Sequence, residues 1–230
     1  MDIGEQIDGY CERLGPGLWA EPANALTNLA FLVAAAAGYA LWRRRGGGDG
    51  WTLALVIVVA AVGVGSGLFH TVATRWAALA DVIPIAIFIH LYVYLAMRRL
   101  VGLGVLAALA VTVAFAVASP FLGRALAGPM GGSAGYAPAL AMLVGTGALL
   151  AARGRPGGRD LLAAAALFAV SLGFRMADEP LCGYLPIGTH LAWHLLNAAL
   201  LYVLVRAMIA AGQPTRPTIG AAGDATSPMR

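Results

Sequence analysis

Two short stretches hold residues whose types and spacing could do chemistry. In "GVGSGLFHTVATRWAALAD", Gly63 to Asp81, Ser66 lies four residues before His70, and Asp81 closes the stretch. In "GTHLAWHLL", from Gly188, His190 and His194 are four residues apart. On a helix that spacing stacks both imidazoles on one face, one turn apart. Such a pair is a familiar metal-binding arrangement, and His70 adds the third ligand that a catalytic zinc site combines with an open position. A plainer reading stays open, in which the histidines are hydrogen-bonded within a helix bundle. The remaining histidine, His90, lies deep in another apolar run and is read as structural.

Ser66 and His70 share a helix face by the same spacing. The serine could bond its own backbone carbonyl, as serines in membrane helices do, or stand as a donor beside a metal-bound carbonyl oxygen. Asp81 opens an apolar run in this reading. It is then either a helix cap or a carboxylate that orients or deprotonates water at the metal.

The elements that must position these residues are membrane spans. Of the 230 residues, 60% are hydrophobic and only 11% are charged, and the mean hydropathy is +0.79. Soluble domains carry about twice that charged fraction. Seven apolar segments are expected, roughly Ala23 to Trp42, Trp51 to Thr71, Ala80 to Met97, Val101 to Leu122, Tyr136 to Ala152, Leu161 to Phe174 and Ile187 to Met208. Each approaches the length needed to cross about 30 Å of hydrocarbon, and their continuity excludes a transmembrane barrel. The formal charge of +4 is no nucleic-acid signal, because the arginines sit in short loops between apolar runs.

Arg43, Arg44, Arg45, Arg98, Arg99, Arg153, Arg155, Arg159 and Arg206 would share one side, against Arg13, Arg75, Arg124 and Arg175 on the other. The positive-inside rule places the first group in the cytoplasm. The N-terminus is then outside, the C-terminus inside, and all five candidate residues gather toward the outer face. The expected organisation is one all-α, seven-helix membrane domain over residues 1–211. It opens with an acidic external segment, 1–22, and a disordered tail over 212–230 follows it.

The N-terminal segment "IDGYCERLGPGLWAEPANALTN" carries Asp8, Glu12 and Glu21, with Asn24 and Asn28 following. Carboxylate and amide oxygens in a bent loop can wrap calcium; they can equally form an acidic segment capping the first helix. Cys11 and Cys182, the only cysteines, both fall on the outer side, where oxidation is possible.

Taken together, "DGYCER…WAEPANALTN", "GSGLFH" with its aspartate, "FRMADEPLC" and "GTHLAWH" resemble the alkaline ceramidase family. That family belongs to a superfamily of seven-helix membrane hydrolases that includes adiponectin-receptor-like proteins. The resemblance spans Asp8 to about Val205. It implies zinc ligands at His70, His190 and His194, catalytic roles for Ser66 and Asp81, calcium ligands at Asp8, Glu12 and Glu21, and a disulfide between Cys11 and Cys182. Gly9 and Leu14 stand where eukaryotic members have Trp and Asn, and Asn24 is a candidate substitute ligand for calcium. The implied activity is zinc-dependent hydrolysis of a membrane lipid amide, ceramide to sphingoid base and fatty acid, or another N-acyl lipid. The alternatives are a lipid esterase or phospholipase on the same scaffold, and a seven-helix lipid receptor with structural zinc.

Overall fold

The computed structural model describes residues 2–212, so the expected tail from residue 213 onward lies outside the described residues. Within them the chain is helical, and its one β pairing is an isolated bridge between Gln6 and Thr74. The elements in order are α1 (Pro22–Thr27), α2 (Leu29–Arg44), α3 (Gly50–Val72), α4 (Arg75–Leu95), α5 (Val105–Ala125), α6 (Ala127–Met130), α7 (Ala137–Ala152), α8 (Gly158–Leu181) and α9 (His190–Ala211). A π-turn, Ala96–Val101, prolongs α4, and a 3₁₀ turn, Gly131–Tyr136, joins α6 to α7. Counting α1 with α2, and α6 with α7, seven helices are long and apolar enough to cross a membrane.

The seven long helices close into a ring. Each packs on the next in chain order, and α9 completes the circle against α2. Inside lie Leu55, Val59, Phe88, Tyr92, Leu161, Phe168, Leu204 and Met208, all buried. Helix α5 buries almost nothing against its neighbours, so its apolar surface faces outward, as a lipid-exposed helix requires. At one end of the bundle Asp49 caps α3, accepting from the Trp51 and Thr52 amides, and pairs with Arg99. Those contacts hold the Asp49 carboxyl down at about 2, chiefly through the Arg99 hydrogen bond. The candidate residues lie at the opposite end.

Three boundaries differ from the sequence expectation, and each difference bears on the site. Helix α3 ends at Val72 and is capped by Ala73, which takes a left-handed conformation with φ of 48°, and Thr74 turns the chain directly into α4. Helix α4 therefore starts at Arg75 instead of near Ala80. Asp81 sits in its second turn and is not a helix cap; Thr74 occupies that position. Helix α8 runs on to Leu181, carrying Arg175 inside a helix. Helix α9 begins at His190 itself.

The N-terminal segment straps across this end. The Ile7 amide donates to the Ala73 carbonyl at 2.7 Å, and the Arg75 amide donates to the Glu5 carbonyl at 3.1 Å. The expected disulfide is present: Cys11 and Cys182 are bonded, with Cα atoms 5.1 Å apart.

Helices α3 and α4 meet at Gly65. A Cβ there would lie 2.0 Å from the Ala80 carbonyl oxygen, so only glycine permits the approach that sets Ser66 beside Asp81. Gly65→Ala is expected to destabilise the detergent-solubilised protein by about 1–3 kcal/mol, the usual cost of overpacking. Gly145→Ala, at a helical position with open space around it, should be neutral or slightly stabilising. Thermal denaturation of both variants checks the contrast.

Candidate metal centre

Two helix ends bring three histidines together. His70 comes from the last turn of α3, and His190 and His194 come from the first turns of α9. All three are buried, and one nitrogen from each lies within 4.8 Å of the others. His70 Nε2, His190 Nδ1 and His194 Nε2 have no hydrogen-bond partner. Buried polar atoms are normally paired, so three orphans converging on one point need a common occupant.

The opposite ring nitrogens fix the tautomers of two of them. His194 Nδ1 lies 2.9 Å from the Thr27 hydroxyl. That hydroxyl already donates its only proton to the Ala23 carbonyl at 2.8 Å, shared with that of Asn24 at 3.0 Å. It can only accept from the imidazole, so Nδ1 carries the proton and Nε2 holds a free lone pair. His70 Nδ1 lies 2.5 Å from Glu21 Oε2. Burial pushes the Glu21 carboxyl up, but its contacts with His70, Asn24 and Arg13 outweigh burial and hold it below the usual range. An ionised carboxylate only accepts, so in the neutral imidazole the His70 Nε2 lone pair is free as well. Carboxylate and hydroxyl partners of this kind orient metal-binding imidazoles. The donor set therefore fits zinc, which takes neutral imidazoles at about 2.0–2.1 Å.

Glu21 is itself clamped. Arg13 donates through Nε to Glu21 Oε1, through Nη1 to the Gly15 carbonyl at 3.0 Å, and through Nη2 to the His70 carbonyl at 3.1 Å. Asn24 donates to Glu21 Oε2 at 3.1 Å. Tyr10 stacks on His190 with ring centroids 3.8 Å apart, and burial raises its phenol, keeping the ring uncharged.

Asp178 ties the other ligand helix down. Its Oδ1 accepts from the Thr189 and His190 amides at 2.6 and 2.8 Å, and its Oδ2 accepts from the Cys11 amide at 3.1 Å. One carboxylate thus satisfies the open start of α9, complements its dipole and anchors the strap. Gly188 makes room for it: φ is +69° there, and a Cβ would lie 2.1 Å from the carboxylate.

A cavity of about 290 Å³ opens beside the histidines. Ser66, Asp81, His190, His194, Tyr10 and Arg175 line its polar end, and residues such as Val93, Leu161, Leu200 and Leu204 line its depth. Asp81 Oδ1 is buried with no hydrogen-bond partner.

The five residues of the zinc and catalytic expectation are thus brought to one place, whereas the three acids do not form a group close enough to share an ion among the described residues. Asp8 is exposed, and Glu12 accepts from the Ala23 and Asn24 amides at 2.7 and 2.8 Å, capping α1. Glu21 is taken up by Arg13, Asn24 and His70. Among the described residues, the three histidines are the group of His, Cys, Asp or Glu side chains close enough to share an ion. His90 bonds the carbonyl of Ala86 in its own helix at 2.7 Å.

Sequence reading did not assign Arg13, Thr27, Asp178 or Arg175. Asp178 and Arg175 carried a signal, as ionisable residues at the end of an apolar run. Arg13 and Thr27 carried none, because the contacts that link them to the histidines, Arg13 with the His70 carbonyl and Thr27 with His194, join residues distant in sequence. Searches against protein families and against curated proteins find no match.

Glu21→Gln keeps the size of the side chain but loses its charge. It is expected to weaken zinc affinity by roughly 10–100-fold, as removal of such partners does. Glu12→Gln, whose partners are backbone amides of α1, should leave zinc affinity near wild type. Chelator competition on the purified proteins measures both.

Proposed function

We propose that the protein is a zinc-dependent intramembrane hydrolase of lipid amides. The observation that carries this reading is the set of three buried imidazole nitrogens without partners, beside a carboxyl oxygen that also has none, at the polar end of an apolar cavity. His70, His190 and His194 would hold the ion. Zinc bound there supplies Lewis acidity, lowering the pKa of water and polarising a carbonyl.

The chain's own residues account for the rest. Asp81 accepts a proton from the attacking water and passes it to the leaving amine, and its second-turn position in α4 aims it into the cavity rather than at a helix end. Ser66 donates to the oxyanion that develops on the scissile carbonyl. The Arg13–Glu21 pair holds His70 in its ligating orientation. The acyl chain lies along the α9 face formed by Asn197, Leu200, Leu201 and Leu204. From His190 to Leu204 that face runs roughly 21 Å at 1.5 Å per residue. By the positive-inside rule the site belongs to the outer leaflet. Ceramide, the substrate that the family resemblance implies, is one member of the amide class.

Purified protein should release fatty acid from N-acyl lipids and stop doing so when zinc is chelated. Release from O-acyl lipids alone would favour the esterase alternative. Asp81→Asn should retain zinc and lose about 10²–10⁴ in rate, the usual cost of removing a general base. His194→Ala should lose zinc and activity together. Near-normal turnover by Asp81→Asn would refute the role given to Asp81, whatever its zinc content.

A further inference from the structure

The zinc-hydrolase reading leaves one charged group without a task. Arg175 projects from α8 into the cavity, and it is the only arginine in a lining that contains no lysine. Its guanidinium carbon lies 5.7 Å from the Tyr10 ring centroid, and 5.6 Å from those of Tyr136 and Trp193. Three aromatic rings and the Tyr136 hydroxyl hold the cation in place, but ring faces and one phenol oxygen are poor substitutes for the set of oxygen acceptors a guanidinium fork requires. Its Nε is buried with no hydrogen-bond partner. Arg175 is in none of the ion pairs of Arg13 and His70 with Glu21, Arg75 with Glu5, Arg99 with Asp49, and Arg206 with Asp160. Asp81 shares the cavity but does not come within ion-pair distance.

A cation within a membrane-spanning helix is costly unless something pairs with it. Among the described residues no anion is in direct contact with Arg175, and the Asp81 carboxylate acts on it only from across the cavity. The place for an anion is defined, because Tyr10 touches both groups: its ring stacks on His190 at 3.8 Å and faces Arg175 at 5.7 Å. The guanidinium therefore stands about one ring away from the metal-ligating histidines, at the polar end of a cavity whose depth is apolar.

We infer that the substrate is an N-acyl lipid carrying a carboxylate close to its scissile amide, and that Arg175 binds that carboxylate. This deepens the hydrolase reading and rests on it for the reaction, though not for the binding. A single guanidinium matches one negative charge and the planar geometry of a carboxylate. The acyl chain then points down the apolar depth, the amide carbonyl lies at the histidines, and the amine side of the amide carries its carboxylate to Arg175. In the reaction, the oxygen of water forms a bond to the acyl carbon and the amide C–N bond breaks. One proton of water goes to the amine and the other is lost from the fatty acid. The products are a fatty acid and an amino acid.

The test compares N-palmitoylglycine with N-palmitoylethanolamine, which has the same chain and a neutral hydroxymethyl group in place of the carboxylate, and with ceramide. Two readouts are taken for wild type, Arg175→Gln and Arg175→Lys: kcat/KM, and binding to protein stripped of metal, where cleavage cannot intervene. Wild type should bind and cleave the glycine conjugate at least about tenfold better than either neutral amide, in line with a charge-assisted bond. Arg175→Gln should abolish that preference, and Arg175→Lys should retain only part of it. Equal or better binding of the neutral amides by wild type overturns the inference, as does an unchanged preference in Arg175→Gln; if the amides are still cleaved, the hydrolase reading survives. An Arg175-dependent binding preference with no cleavage of any amide does the reverse. If neither variant folds, the wild-type binding comparison alone decides.

Discussion

Three imidazole nitrogens without hydrogen-bond partners, meeting inside an apolar bundle, are the constraint around which this end of the protein is organised. Each is a buried polar atom without a partner, an arrangement that costs stability when nothing fills it. The surrounding contacts maintain it. Thr27 and Glu21 take the opposite nitrogens of His194 and His70, so in their neutral form those two rings present a lone pair to the centre. Tyr10 covers the His190 ring.

These supporting residues come from the N-terminal segment and α1, and the segment leaves Ile3, Leu14, Leu18 and Trp19 exposed instead of packing them into the bundle. It is retained by a sequence of linked contacts. Arg13 holds Glu21 and the backbone carbonyl of His70, while Asp178 holds the Cys11 amide and the start of α9, and the disulfide joins the segment to the end of α8. The ligand geometry and the docking of the strap therefore depend on each other. Disturbing the strap frees Glu21 to swing away from His70, and removing His70 leaves the Arg13–Glu21 pair without its third partner. Both members of that pair are charged and buried, so breaking it is far more costly than its net contribution to stability would suggest.

Much of this was legible in the amino-acid sequence, for identifiable reasons. The seven spans follow from uninterrupted apolar runs, and the convergence of Ser66, His70, Asp81, His190 and His194 follows from alternating span directions. Less legible were the helix starts. The turn between α3 and α4 consists of Ala73 and Thr74, with the first in a left-handed conformation that alanine seldom adopts, so nothing local marked Arg75 as the beginning of α4. That shift moved Asp81 from a capping position to a cavity-facing one. The acidic N-terminal residues show the opposite limit. Composition suggested a cation site, but the cation that Glu21 meets is the guanidinium of Arg13, and Glu12 spends its oxygens on backbone amides. Which partner satisfies an acid depends on a tertiary arrangement that residue spacing does not encode.

Whether three histidines alone hold zinc with a position left open is the point on which the functional reading turns. X-ray absorption at the zinc edge, on protein purified without added chelator, reports ligand type, number and distance together. The expected spectrum contains three imidazole nitrogens at about 2.0–2.1 Å and one light-atom ligand from solvent. A fourth imidazole, a sulfur ligand, or protein that carries no zinc after exposure to it would contradict a catalytic zinc centre at His70, His190 and His194.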